Sequence, residues 1–142
     1  MDNQELIALV KSGQCTFAAD RGGTCYKAEG LGVRPIITPM RDNLAFFHGC
    51  PVADTIIGKA AALLLILSGA SFVYGTVMSQ AAVQVLENAH IPYQYETLVD
   101  YIENRTGTGM CPLEDSVKEE DDPQRALPLI EARIAQLMQN KA

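Results

Sequence analysis

Apolar residues recur at helical spacing near the start of the chain. Leu6, Leu9 and Val10 share one face, Gly13 ends the run, and Asp2 followed three residues later by Glu5 has the form of a capping box. A first helix is predicted over about 3–12. Residues 14–19 and 24–28 are short β-like runs separated by Asp20-Arg21-Gly22-Gly23, the residue types a hairpin turn requires, so two antiparallel strands should follow. Between 30 and 50, Gly30, Gly32, Pro35 and Pro39 interrupt the apolar pairs Ile36-Ile37 and Phe46-Phe47, which predicts a turn and a short helix or irregular segment.

From Pro51 to Leu67 the pattern reads as one central, buried helix with Pro51 at its first position. Ser71 to Met78 reads as an interior strand, Ser79 as the cap of a helix to about Ala89, and Ile91 to Tyr95 as a further strand. That succession implies a right-handed parallel crossover. Thr97 is expected to cap a helix to about Asn104, and Pro112 to open one more helical turn. Asp122-Pro123 should start a last amphipathic helix over 123–139, with Ile130, Ile134 and Leu137 facing inward and a kink or break at Pro128. The acidic run Glu119-Glu120-Asp121-Asp122, about 119–123, reads as a solvated linker that also favours the dipole of the helix after it.

Composition narrows the class. Hydrophobic residues make up 48% and charged residues 20%, which fits a single globular α/β domain over 1–142. The formal charge of −6 argues against an electrostatic grip on nucleic acid or anionic lipid. The most apolar stretch, 60–75, is shorter than a membrane span and is interrupted by Ser68, Gly69 and Ser71, so no transmembrane segment is expected. Cysteines 15, 25, 50 and 111 form no CxxC pair, and the chain opens on the polar Met1-Asp2-Asn3-Gln4-Glu5, so free thiols, no secretory leader and a cytoplasmic setting are expected. Small molecules and protein partners, a second copy of the chain included, remain open.

The segment Asn104-Arg105-Thr106-Gly107-Thr108-Gly109-Met110-Cys111-Pro112 concentrates unusual features. Gly107 and Gly109 let backbone N–H groups approach a ligand, and a thiol capping a helix has its thiolate stabilised by the dipole, so the loop would suit an anion or a nucleophilic Cys111. The plainer alternative is a tight turn with Cys111 filling an apolar gap. Cys50-Pro51 repeats the cysteine-proline arrangement, but a filler thiol is favoured there, and His48-Gly49-Cys50 lacks the paired ligand spacing of a structural zinc site. Lys59 is the only charged side chain between Asp54 and Glu87. In a buried helix it would be a base, an imine former or an anion clamp, or else it pairs with Asp54 or Asp100 or snorkels outward. Gly58-Lys59 is no phosphate loop, since Ala53 and Ala60 stand where glycine and Ser or Thr are needed, and Gly107-x-Gly109 lacks the third glycine of a dinucleotide fingerprint. His90 reads as a helix C-terminal cap and Ser79 as an N-cap rather than a nucleophile.

The blocks Ala53-Asp54-Thr55-Ile56-Ile57-Gly58-Lys59-Ala60-Ala61-Ala62 and 104–114 resemble an uncharacterised bacterial protein family of cytidine deaminase-like fold, over roughly 4–130. The resemblance implies a three-layer α-β-α domain with a mixed sheet, its first hairpin antiparallel and its later strands parallel. Deaminases hold zinc with His-x-Glu or Cys-x-Glu at one helix start and Pro-Cys-x-x-Cys at the next. Asp54, Gly58 and Lys59 on one expected helix and Ser79-Gln80 on the next supply no such ligands, so fold is implied without the chemistry. The leading expectation is a small-molecule-binding domain, its ligand anionic, with no cofactor and no metal, which would bind or act as a metal-free enzyme. Lys59, Cys111 and Asp54 are its candidate catalytic residues, and Gly58, Asn104, Arg105, Thr106, Gly107, Thr108 and Gly109 its ligand-binding ones. The alternatives are a non-catalytic regulatory or oligomerisation module and an atypical metal hydrolase using His48, Cys50 and Cys111.

Overall fold

The computed structural model describes residues 1–30 and 32–139. Helix α1 (Asn3–Lys11) starts on the capping box: the Asp2 carboxylate accepts the Glu5 N–H at 2.8 Å, while the Glu5 side chain faces the Asp2 N–H. Strands β1 (Phe17–Arg21) and β2 (Thr24–Ala28) form the expected antiparallel hairpin. Its turn places Gly22 and Gly23 at φ of 62° and 97°, a left-handed pair that suits glycine. The broken 30–50 segment contains α2 (Arg34–Asp42), with Pro35 in its first turn. Then come β3 (Pro51–Ile57), α3 (Lys59–Ser68), β4 (Phe72–Ser79), α4 (Gln80–Asn88), β5 (Tyr93–Val99), α5 (Pro112–Ser116) and α6 (Pro123–Gln139).

The sheet order is β2-β1-β3-β4-β5, antiparallel across β2-β1-β3 and parallel across β3-β4-β5. Helices cover both sides. On one side, Leu6, Ile7 and Val10 of α1 pack with Ala18, Ala53 and Tyr74. On the other, α2, α3, α4 and α6 enclose Phe17, Val52, Ile57, Val73 and Met78. Successive residues Leu63, Leu64 and Leu65 are all fully buried, so α3 is covered on every side, each leucine contributing about 1.5–3 kcal/mol.

Two expected helices give way to strand. The run from Pro51 to Leu67 is not one helix: Pro51 opens β3, Gly58 caps α3, and the helix starts only at Lys59. A central strand is buried on both faces, and Val52 and Ala53 are both fully buried, so β3 shows no alternation and reads like a buried helix. Thr97 caps no helix either, because β5 runs through it to Val99 and the chain continues as bends closed by a Glu103–Met110 bridge. Pro128 does not split the last helix, which runs unbroken through it. Ser79 is an N-cap as expected, accepting the Ala82 N–H at 3.2 Å, and His90 follows α4 in the left-handed conformation, φ 58°.

Candidate functional site

The carboxyl ends of β3, β4 and β5 lie side by side, which is where open α/β sheets bind ligands. A single carboxylate ties these ends together. Glu114, on α5, is 4% exposed. Its Oε2 accepts the Lys59 N–H at 2.7 Å and the Ser79 hydroxyl at 2.6 Å, and its Oε1 accepts the Ile102 N–H at 2.6 Å. These donors come from the start of α3, the cap of α4 and the segment just beyond β5. The Lys59 amide would otherwise lack a partner at the start of α3, and the α3 dipole adds to the attraction. Gly58 admits the carboxylate: a Cβ there would sit 3.0 Å from Glu114 Oε2 and 3.0 Å from Ile102. An open groove of about 450 Å³ borders the cradle, lined by Ile56, Val77 and 99–103.

Lys59 is 5% exposed, so the expectation of a buried lysine holds. Its partner is neither Asp54 nor Asp100. The ammonium reaches Asp121 Oδ1 at 2.7 Å and donates to the Lys118 carbonyl at 3.2 Å, drawing the acidic run, expected to be a solvated linker, against the body. Asp54, Gly58 and Lys59 do not share a helix: Asp54 lies inside β3, opposite Phe17 and Gly75, while Gly58 and Lys59 form the turn into α3. Asp54 Oδ1 accepts the Thr55 N–H at 2.7 Å, and its buried Oδ2 has no hydrogen-bond partner among the described residues. Burial pushes its carboxyl up to about 8, against which the backbone donors act only weakly, so Asp54 is protonated at neutral pH.

The glycine loop turns its polar groups on itself. The Asn104 side chain accepts from the Thr106 hydroxyl at 3.0 Å and the Thr108 N–H at 3.0 Å, and Asn104 N–H donates to the Gly109 carbonyl at 2.8 Å. Gly107 takes the left-handed conformation, φ 69°, whereas Gly109 does not. Arg105 stands exposed at the tip. Cys111 precedes α5, as expected of a capping cysteine, and its N–H donates to the Ile102 carbonyl at 2.7 Å, fastening the base of the loop beside the cradle.

Cys50 caps no helix; it precedes β3, at the end of the strand opposite Gly58. The length of β3 alone separates His48 and Cys50 from the strand ends by about 20 Å, so with Cys111 they form no common site. Among the described residues no group of three or more His, Cys, Asp or Glu is gathered as a metal would require. Cys15 and Cys50 are buried, and burial pushes both thiols up, while Cys25 and Cys111 are partly exposed. Iodoacetamide on the native protein is therefore expected to label Cys25 and Cys111 well before Cys15 and Cys50. Peptide mapping checks this, and early labelling of Cys50 would contradict it.

Lys59, Gly58 and Cys111 were legible as candidates, though Gly58 and Lys59 on an expected helix rather than at strand ends; Glu114 and its bond to Ser79 were not. A lone glutamate in a five-residue helix carries no pattern that marks it as buried.

A comparison with solved structures finds a DUF1893 family protein (TM1506) from Thermotoga maritima, TM-score 0.80 and 21% identical, covering 94% of this chain and 88% of that one. At that identity the likeness shows a shared fold. No curated protein matches the chain. Residues 5–134 match the family described as Domain of unknown function (DUF1893), nearly the whole length. The chain belongs to the DUF1893 family, whose name assigns it no activity.

Proposed function

We propose that this chain is a small-molecule-binding domain on a cytidine deaminase-like scaffold, and that its site is the crevice beyond the carboxyl ends of β3, β4 and β5. The scaffold reading is supported by the antiparallel hairpin beside three parallel strands and by helices on both sides. The zinc of a deaminase does not fit: α2, α3 and α4 begin with Val33-Arg34-Pro35, Gly58-Lys59-Ala60 and Ser79-Gln80-Ala81, and none offers a His, Cys or Glu donor.

One observation carries the binding reading. Three donors from three separate segments converge on one buried carboxylate, and that is the geometry of an oxyanion receptor. In the free chain Glu114 fills it. The ligand is a small carboxylate or phosphate that takes the place of Glu114 and lays an apolar body against Ile56, Val77 and Val99. Gly58 gives it room, Lys59 exchanges Asp121 for the ligand's charge, and the hairpin of Asn104, Arg105, Thr106, Gly107, Thr108 and Gly109 frames the mouth, with Arg105 as an exposed cation. Cys111 anchors the loop, and Asp54, four residues upstream of Gly58, lies buried inside β3 and does not touch the ligand.

Phosphate titrated into the protein, read by thermal unfolding, tests this. At about ten times its dissociation constant it should stabilise the fold by about 1.4 kcal/mol. Lys59→Met should remove that gain yet leave the unliganded stability within about 1 kcal/mol, because the exposed Asp121 returns to water and methionine fills the same space. An equal phosphate shift in both proteins, or none in the natural one, counts against the reading.

A further inference from the structure

An anion that takes the cradle must first displace Glu114, so whatever holds Glu114 there also lowers the anion's apparent affinity. The segment around Glu114 is fixed at both ends. The Cys111 N–H donates to the Ile102 carbonyl at 2.7 Å, and Val117 is fully buried. Turning the Glu114 side chain within the fold would leave its charge buried without a donor, so the carboxylate reaches water only if α5 lifts between those two points. Lifting α5 meets one further restraint, and it comes from α6. Arg133 Nη1 donates to the Pro112 carbonyl at 2.8 Å, and both terminal nitrogens of the guanidinium lie 3.4 Å from Asp115 Oδ2. Pro112 and Asp115 flank Glu114, so one side chain clasps α5 at two places. The helix that carries it is seated independently: Ala126 and Ile130 are fully buried, and Ile134 packs against the core.

We propose that Arg133 is the latch of an autoinhibited receptor, an inference that rests on the oxyanion-receptor reading of the cradle. It is a positioning residue. Its polar contacts among the described residues all go to α5, and through α5 it keeps the internal carboxylate seated and the open, ligand-competent form rare. The latch has a signature of opposite signs. Arg133 stabilises the free chain and opposes the ligand, because the bonds to Pro112 and Asp115 exist only while α5 is down. A cation acting through its charge alone would do the reverse, since it draws an anion in and its removal weakens binding. The sign of the change in affinity therefore separates a latch from a general charge effect.

Inorganic phosphate titrated into the natural protein and into Arg133→Met, followed by calorimetry and thermal unfolding, tests this. Without phosphate the variant should melt at a lower temperature, yet it should bind phosphate with a dissociation constant about fivefold lower. Amide exchange in the natural protein needs no variant. At saturating phosphate the amides of 113–117 should exchange faster while those of α3 and β4 slow, because the ligand holds the body and releases α5. A dissociation constant that is unchanged or raised in Arg133→Met overturns the latch and leaves the receptor reading standing. So does phosphate that protects 113–117 along with the rest of the chain. No phosphate shift in either protein removes the receptor reading and the latch with it.

Discussion

Replacing Asp54 by asparagine should stabilise the fold at neutral and alkaline pH and leave it nearly unchanged near pH 4. The buried carboxyl is neutral in the folded state up to about 8, whereas in the unfolded chain it ionises near its ordinary 3.8. Between those values the unfolded state alone releases the proton, so stability falls as pH rises. Each unit costs about 1.4 kcal/mol, and the cost is complete above about pH 8. Below the unfolded value both states hold the proton and the cost vanishes. Asparagine keeps the shape and cannot ionise. The variant's advantage should therefore grow from about zero at pH 4 to about 4–6 kcal/mol at pH 8. Denaturant unfolding at pH 4, 6 and 8 measures it, and a pH-independent difference would show that Asp54 keeps its charge when folded.

Glu114→Ala should have the largest destabilising effect of any polar substitution at the strand ends. It removes the acceptor shared by the Lys59 N–H, the Ser79 hydroxyl and the Ile102 N–H, and with it the bonds that hold α5 to α3, α4 and the end of β5. A buried donor left unsatisfied costs about 1–3 kcal/mol, and the half-buried Ile102 amide less, so the loss should total about 3–5 kcal/mol. Because the cavity left behind is shaped for a carboxylate, sodium formate should restore part of that loss where sodium chloride does not. Thermal unfolding of the variant in the two salts separates a receptor from a general salt effect.

Much of the scaffold was legible in the residues because local chemistry and tertiary position agree there. The Asp2–Glu5 capping box, the Gly22-Gly23 turn, Ser79 before α4 and Asp122-Pro123 before α6 each satisfy backbone groups within a few residues of themselves. Beginnings and ends failed where burial erases periodicity. In β3, apolar Val52 and Ala53 stand on both faces, and Gly58 is the sole break before the equally apolar α3. The second half of β5, beyond the strand expected to Tyr95, was missed for the opposite reason. An edge strand with five exposed residues in a row has no apolar face, and Thr97, a common capping residue, suggested a helix instead.

The candidate site divides along the same line. Lys59 could be singled out as a lone charge in an apolar run, but its partner Asp121 lies in a segment whose composition signals only solvation. The glycine loop drew notice by residue type, yet its Asn and Thr groups bond to one another and shape the turn. Glu114 gathers its three donors from positions 59, 79 and 102, and contacts that distant in sequence leave no local trace.

The most direct test of the oxyanion receptor is a crystal structure of Glu114→Ala grown in sodium formate. A planar formate should appear with oxygens within about 3 Å of the Lys59 amide, the Ser79 hydroxyl and the Ile102 amide, and α5 should still be in place. A cavity that instead collapses, with Ser79 turned to another acceptor and no anion bound, would contradict it.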